Sequence, residues 1–407
     1  MKSNRTIGAT ALLLGVISVS LFSWGVQNPR APYYDEPQYI AAAQAFWMHA
    51  PNPNPEAPPM GKLLIALSMK LFGDTPWGWR SAGVLFGALI VVGVFFWIYL
   101  LLDSYSLALT AAALTLLDNF LFVMARVAMM DVFLVAFTIW GLTAFTAAVR
   151  LREVSVRARR ALVVYAGIMF GFACACKWNG VDTPAVLAMI AAGLFVIKPS
   201  PDEKTRDYQS QVRSIGLGWL AASLSVVPAI AYSLTFWPLC RSIHQRFSLP
   251  TLIAMNAYIW RFHRAVVGNP SITSAWYSWP LQVAPQRGLS YLVGNWFIMW
   301  TGLLALLFCC RRLLIGFPET LVVLLYAGNL LQWALTPQSC LYYYYYFPAA
   351  LFLGAAIPIA LSRLPSNFWR TRLSAISVAC SAYIFLFCYA QMAHLGAPFD
   401  SILGYWS

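Results

Sequence analysis

Acidic side chains are scarce in this chain, 14 in 407 residues, so each one has to be accounted for. Asp35 and Glu36 stand side by side, directly before Pro37 and a helical pattern. Two readings stay open for them. An acid ahead of a proline in a first helical turn is an ordinary N-cap, whereas a carboxylate held at the outer membrane surface accepts the proton of an incoming hydroxyl. One acid can cap or hold the loop while the other reacts. Arg126 and Asp131 bracket a turn between two apolar runs, with Asp118-Asn119 just before them. Ionisable groups at such depths are costly and face a partner or a cavity. Arg126 therefore either pairs with Asp118 or Asp131, or grips a lipid-linked phosphate with a planar, permanently charged guanidinium. Lys177, in Lys177-Trp178-Asn179-Gly180, poses the same choice between a phosphate contact and a snorkelling lysine. Arg80, at the close of the first long loop, is by itself a commonplace flanking residue.

Other chemistry is less favoured. His49, His244, His263 and His394 share no ligand spacing, so no metal site is expected. Most of the 8 cysteines lie in or beside apolar runs as small hydrophobes, and only Cys240 and Cys340, at segment edges, could pair. Asp202, Glu203, Asp207 and Glu153 read as solvated charges of polar loops.

The elements that must position these groups follow from composition. The chain is 60% hydrophobic and 10% charged, against about 25% charged in a soluble protein. Its apolar residues come in long runs and do not alternate, which excludes a β-barrel and predicts an all-α integral membrane protein. A net charge of +13 does not imply nucleic acid, because the basic residues are spread over helix ends. Eleven spans are expected, near residues 6–26, 81–102, 106–124, 127–149, 161–177, 182–197, 214–239, 293–310, 317–335, 342–361 and 372–392. With the N-terminus inside, Lys2, Arg5, Arg150, Arg152, Arg157, Arg159, Arg160, Lys198, Lys204, Arg206, Arg213, Arg311, Arg312, Arg363, Arg370 and Arg372 fall on one side, in line with the positive-inside rule. An odd number of spans then leaves Ser407 outside.

Residues 1–407 are read as a single polytopic membrane domain with two long outside connections, 27–80 and 240–292. The first carries the acidic pair and two helices too short to span, near Gln38–His49 and Leu63–Phe72, expected to lie in the interface. Pro51, Pro53, Pro55, Pro58 and Pro59 forbid helix between them. The run Tyr342 to Tyr346 reads as an aromatic belt.

Taken together, the strings Tyr34-Asp35-Glu36, Pro58-Pro59-Met60-Gly61-Lys62-Leu63-Leu64, Phe72-Gly73-Asp74-Thr75-Pro76-Trp77-Gly78-Trp79-Arg80, Leu117-Asp118-Asn119, Arg126-Val127-Ala128-Met129-Met130-Asp131 and Lys177-Trp178-Asn179-Gly180 resemble the protein O-mannosyltransferase family. Ser278-Trp279-Pro280-Leu281 and Tyr345-Tyr346-Phe347-Pro348-Ala349 look like its later elements. The resemblance implies a GT-C-type helical bundle and an inverting transfer of a sugar, mannose by analogy, from a polyprenyl-phosphate donor to a hydroxyl, that of Ser or Thr in exported proteins. It implies Asp35 and Glu36 as catalytic residues, and Arg80, Arg126, Lys177, Asp131 and Asn179 as groups that hold donor phosphate or substrate. It implies no cofactor and no metal, since a lipid phosphate is already a good leaving group. The location implied is a bacterial inner membrane with the site on the extracytoplasmic side, endoplasmic reticulum being the alternative. Two departures bear on acceptor and sugar: Ala57 stands where the family usually has a histidine, and the tyrosine run has no histidine. The 240–292 loop is too short for the sugar-binding β-trefoil of eukaryotic relatives. A glycolipid or envelope-polysaccharide acceptor is the nearest alternative. A transporter or flippase of lipid-linked sugars is less favoured, because no internal repeat is visible and the acids gather at one face.

Overall fold

Helix starts along the chain are set by side chains that satisfy otherwise orphaned backbone N–H groups. Ser3 accepts from the N–H of Thr6, Thr75 from Gly78, Ser155 from Ala158 and Asn295 from Ile298. A computed structural model describes residues 3–151, 153–266, 273–281, 292–336 and 340–393; Arg152, His394 and Ser407 lie outside the described residues, as do parts of the 240–292 connection.

Among the described residues the elements are all helical. In order they are α1 (Asn4–Ser23), α2 (Glu36–Met48), α3 (Met60–Phe72), α4 (Pro76–Leu102), α5 (Tyr105–Leu116), α6 (Asn119–Met124), α7 (Met130–Arg150), α8 (Val156–Cys176) and α9 (Asp182–Val196). They continue with α10 (Glu203–Ile215), α11 (Leu217–Ser242, with a π turn at Ala222–Val226), α12 (Leu249–Ala265), α13 (Trp296–Cys310), α14 (Phe317–Leu335), α15 (Phe347–Leu361) and α16 (Asn367–Met392). Single 3₁₀ turns precede α9 and α15, at Trp178–Val181 and Tyr343–Tyr346.

Eight helical segments of the described residues are long and apolar enough to cross a membrane, and the chain is a multi-pass membrane protein. The remaining three expected spans are helical but differ. Residues 106–124 break at Asp118, whose carboxylate accepts the N–H of Phe120 at 3.1 Å and so starts α6 afresh. The helix in 293–310 has 15 residues, and α14 carries Glu319, Asn329 and Gln332 among its apolar residues. By length and apolarity eight of the eleven expected spans qualify among the described residues.

Buried α7 forms the centre of the bundle, packed on α4 and α8, while α15 packs against α13 and α14. Where α8 crosses α11, a Cβ at Gly167 would sit 2.1 Å from the carbonyl oxygen of Ser223, so the two backbones touch. At one end of the bundle Glu319, fully buried, pairs with Arg363 and with Arg312. Asp202 is not simply solvated: it caps α10 through Thr205 and meets Arg312 at 3.3 Å.

The first long loop is anchored by a buried ion pair. Arg80 Nε and Nη2 each donate to Glu36 at 2.7 Å, and both side chains have 0% exposure. The remaining valences are filled as well: Arg80 reaches the carbonyls of Val26, at 2.9 Å, and Pro29, at 2.8 Å, while Glu36 accepts the N–H groups of Tyr33 and Ala128. Glu36 and Arg80, expected at the reacting centre, thus face each other inside the protein, because two opposite charges out of water require one another. Arg126 also departs from expectation. It donates to the carbonyls of Phe22 at 2.8 Å and Trp24 at 2.5 Å, with its guanidinium 4.8 Å over the Phe122 ring, and pairs with neither Asp118 nor Asp131. Those carbonyls at the end of α1 have no helical partners, and a nearby cation satisfies them.

Removing one member of a fully buried pair leaves the other charge uncompensated. Glu36→Gln is therefore expected to destabilise the fold by about 3–5 kcal/mol, whereas Asp35→Asn costs under about 1 kcal/mol, since no cap depends on it. Thermal unfolding of the detergent-purified variants checks this, and equal shifts for the two would contradict it.

Candidate active site

Asp35 stands at the N-cap immediately before α2, yet its side chain makes no capping hydrogen bond. Glu36, next in sequence, turns inward to Arg80. Asp35 instead faces a cavity of about 550 Å³, where Tyr344 donates its hydroxyl to Oδ2 at 2.9 Å. Adjacent side chains at a helix start point in different directions, and that alone divides the pair into one buried and one cavity-lining acid. Burial pushes the Asp35 carboxyl above the ordinary aspartate value, against the opposing pull of the Tyr344 hydrogen bond and the Lys177 charge.

Lys177 enters the same cavity from the end of α8. Its ammonium donates to Asp131 at 3.0 and 3.3 Å and lies 4.1 Å from the centre of the Tyr345 ring. Asp131 in the first turn of α7 has 0% side-chain exposure, while Lys177 keeps 23%. The carboxylate holds the lysine in place, and the lysine side chain, partly exposed, lines the cavity. Asn179, two residues on, also lines the cavity, and neither atom of its buried side-chain amide has a partner among the described residues.

The tyrosine run is not a belt at the membrane surface. Tyr343 to Tyr346 are buried, with Tyr344 on Asp35 and Tyr345 stacked on Trp333 at 4.8 Å. A 3₁₀ turn there sends successive rings to different neighbours.

A second wall comes from the proline-rich loop and α12. Lys62 of α3 is buried beneath that loop and donates to the carbonyls of Asn54 and Ala57, each at 2.6 Å. Burial lowers its ammonium from the ordinary value to about 7. On α12, His263 Nε2 lies 3.0 Å from the Glu56 carbonyl oxygen. A carbonyl only accepts, so Nε2 carries the hydrogen. Burial holds the imidazole's pKa below its usual value, which leaves Nδ1 as a bare acceptor at neutral pH. Arg264 and Trp260 line the cavity beside it.

Of the residues expected at the site, the structure brings Asp35, Lys177 and Asn179 to one cavity, with Asp131 behind Lys177. Glu36, Arg80 and Arg126 do not line it. Sequence reading missed Tyr344, His263, Gln38 and Trp333, which do. Only the clustering of tyrosines after residue 341 could have pointed to one of them. Among the described residues no group of histidine, cysteine and acid side chains could hold a metal ion, and Cys240 and Cys340 are both free thiols.

The model of the family described as dolichyl-phosphate-mannose-protein mannosyltransferase matches residues 73–244. A polyprenol-phosphate-mannose–protein mannosyltransferase of Mycobacterium tuberculosis is 24% identical over 321 residues, covering 67% of this chain and 61% of the relative. A protein of the same name from Mycolicibacterium smegmatis is 25% identical over 354 residues, covering 75% and 66%. The chain thus spans about two thirds or less of the length of these relatives. Among solved structures, the S. cerevisiae protein O-mannosyltransferase Pmt1-Pmt2 complex bound to the sugar donor superposes with a TM-score of 0.77 at 12% identity, over 95% of this chain and 90% of that one. ArnT from Cupriavidus metallidurans bound to undecaprenyl phosphate gives 0.64 at 18% identity, over 96% and 76%. At these identities the structural likeness is one of fold, the GT-C-type helical bundle. Through residues 73–244 the chain is similar in sequence to the dolichyl-phosphate-mannose-protein mannosyltransferases, and its fold is similar to that of the S. cerevisiae protein O-mannosyltransferase complex.

Proposed function

We propose that the protein is an inverting glycosyltransferase that moves a sugar, mannose by analogy with its relatives, from a polyprenyl-phosphate donor to a hydroxyl of Ser or Thr in exported proteins. The observation that carries this reading is the sharing of one cavity by Asp35, raised in basicity by burial, and Lys177, a cation kept reachable at its edge. The relatives' names supply the donor class and the acceptor class.

The acceptor oxygen attacks the anomeric carbon from the face opposite the phosphate, and the bond from that carbon to the phosphate oxygen breaks. Asp35 takes the hydroxyl proton. Its Oδ2 is held by Tyr344, which orients the carboxylate and leaves the second oxygen for the acceptor. Lys177 meets the departing phosphate. An ammonium has three hydrogens, and Asp131 fixes the side chain without covering it. Charge held in place before the reaction needs no reorganisation as the phosphate leaves. Asn179 belongs to the substrate-binding set. Glu36, Arg80 and Arg126 serve the site by holding the loop and α1.

The location that fits is a bacterial inner membrane with the cavity on the extracytoplasmic side, since Arg157, Arg160, Arg311, Arg312 and Arg363 lie in connections or helix starts away from Asp35 and Lys177. In spheroplasts, a protease site inserted between Asn52 and Pro53 is expected to be cut from outside and one inserted after Asp202 to resist. The reverse pattern would turn the protein over.

Asp35→Asn should lower kcat about 100-fold or more, because the amide cannot take the proton, while donor KM stays within a few-fold. The wild-type rate is expected to fall on acidification as Asp35 is protonated, at a pH above the range of an exposed aspartate because its folded pKa is raised. In the Asn variant that limb should vanish. A fully active, folded Asp35→Asn protein would sink the mechanism.

Lys177→Met should lower kcat/KM about 100-fold or more, and Lys177→Arg should restore part of it by keeping the charge. Radiolabel transfer from polyprenyl-phosphate mannose to a Ser/Thr peptide in detergent measures both. With no vesicle interior present, transfer also separates an enzyme from a transporter.

A further inference from the structure

A second built feature lies at the far end of α8. Arg157 and Arg160 stand in its first turns and Lys177 directly follows its last residue. At 1.5 Å per residue the two ends are about 30 Å apart, close to the thickness of the hydrocarbon core. The groove at the arginine end is therefore separate from the cavity at the lysine end.

Its shape follows from the crossing of α8 with α11. Backbones meet at Gly167, and a Cβ at Gly171 would come within 2.6 Å of the Pro228 carbonyl oxygen. Nearer the start of α8 the bulk of Arg160 and Trp219 keeps the helices apart. The result is a groove of about 450 Å³ floored by Ala161 and Val164, with Tyr165 and Trp219 exposed along it. Arg160 lies 5.2 Å over the Trp219 ring, and its Nε donates to the carbonyl of Ile215 at 3.2 Å. That fixes the guanidinium plane, while its terminal nitrogens have no hydrogen-bond partner among the described residues. Arg157 is exposed and likewise without a partner there. Among the described residues no carboxylate lines the groove.

We infer that this groove binds an anionic phospholipid, with the phosphodiester on Arg157 and Arg160 and an acyl chain along Ala161 and Val164. Charge complementarity selects the occupant. A zwitterionic lipid brings an ammonium that offsets its phosphate, whereas an anionic lipid meets the two guanidiniums with net negative charge, and a water-soluble anion would leave the apolar slot empty. Exposed Trp and Tyr beside the arginines match the headgroup level of a bilayer. The inference rests on nothing in the catalytic reading.

The test titrates dioleoyl phosphatidylglycerol or dioleoyl phosphatidylcholine into the detergent-purified full chain and counts bound lipid by native mass spectrometry. Phosphatidylglycerol should bind about 10-fold or more tighter than phosphatidylcholine, and Arg157→Gln with Arg160→Gln should weaken it about 30-fold. Val164→Trp fills the slot without touching charge and should weaken it comparably. Arg311→Gln, a basic residue outside the groove, should leave binding unchanged. Should the Arg160 variant fail to fold, Arg157→Gln and Val164→Trp carry the test alone. Equal affinity for the two lipids, retained affinity in either groove variant, or an equal loss in Arg311→Gln would each overturn the proposal.

Discussion

The ion pair between Glu36 and Arg80 decides what the first loop can be. Forty-four residues separate them, and both are out of water. Charges so placed are tolerable only with complete hydrogen bonding, and here the carbonyls of Val26 and Pro29 and the N–H groups of Tyr33 and Ala128 complete it. Three stretches of chain, the end of α1, the start of α2 and the segment before α7, are thereby tied to α4. The position of Asp35 follows from this knot, because a neighbour on the same helix start must point elsewhere once Glu36 points inward. The acid with no ion-pair partner of its own among the described residues is the one left facing the cavity, where the Tyr344 hydroxyl holds it.

Around Asp35 the site separates its charges by depth. Asp131 is wholly buried and takes both of its oxygens to Lys177, so the lysine is fixed in place although it lies against aromatic rings. Asp35 is half-buried without a cation in direct contact, and desolvation raises its affinity for a proton. Two carboxylates near one ammonium thus take different roles: one serves as counter-ion and the other is available as a base. The tyrosine run contributes to both, with Tyr344 on the base and Tyr345 under the cation. From the other side, Lys62 and His263 hold the proline-rich loop by its carbonyls. A segment that proline bars from regular structure has carbonyls to spare, and buried donors on neighbouring helices satisfy them.

Sequence alone determined the fold class, because long apolar runs with few charges have one stable solution in a bilayer, a bundle of helices whose backbone groups are satisfied within each segment. It also determined that Asp35, Asp131, Lys177 and Asn179 were worth attention, since ionisable or amide groups beside apolar runs are rare and costly. The two short helices of the first loop were legible too, bounded by Pro37 and by the proline cluster, and the structure gives them as Glu36–Met48 and Met60–Phe72.

What the sequence could not decide was which charge meets which. Glu36 and Asp35 are equivalent as neighbours in a string, and only the meeting of Glu36 with Arg80 of α4 makes one an anchor and the other a cavity wall. Arg126 looked like a phosphate ligand because an arginine near a membrane surface suits that role, and Arg80 was implied at the site only by the resemblance, yet in three dimensions they meet Glu36 and the carbonyls ending α1. Partners such as Tyr344 and Asp35 lie 309 residues apart, and His263 and Glu56 lie 207 apart. Local pattern carries no information about such pairs. They are fixed by how whole helices settle against one another, and that is a property of packing in the folded bundle.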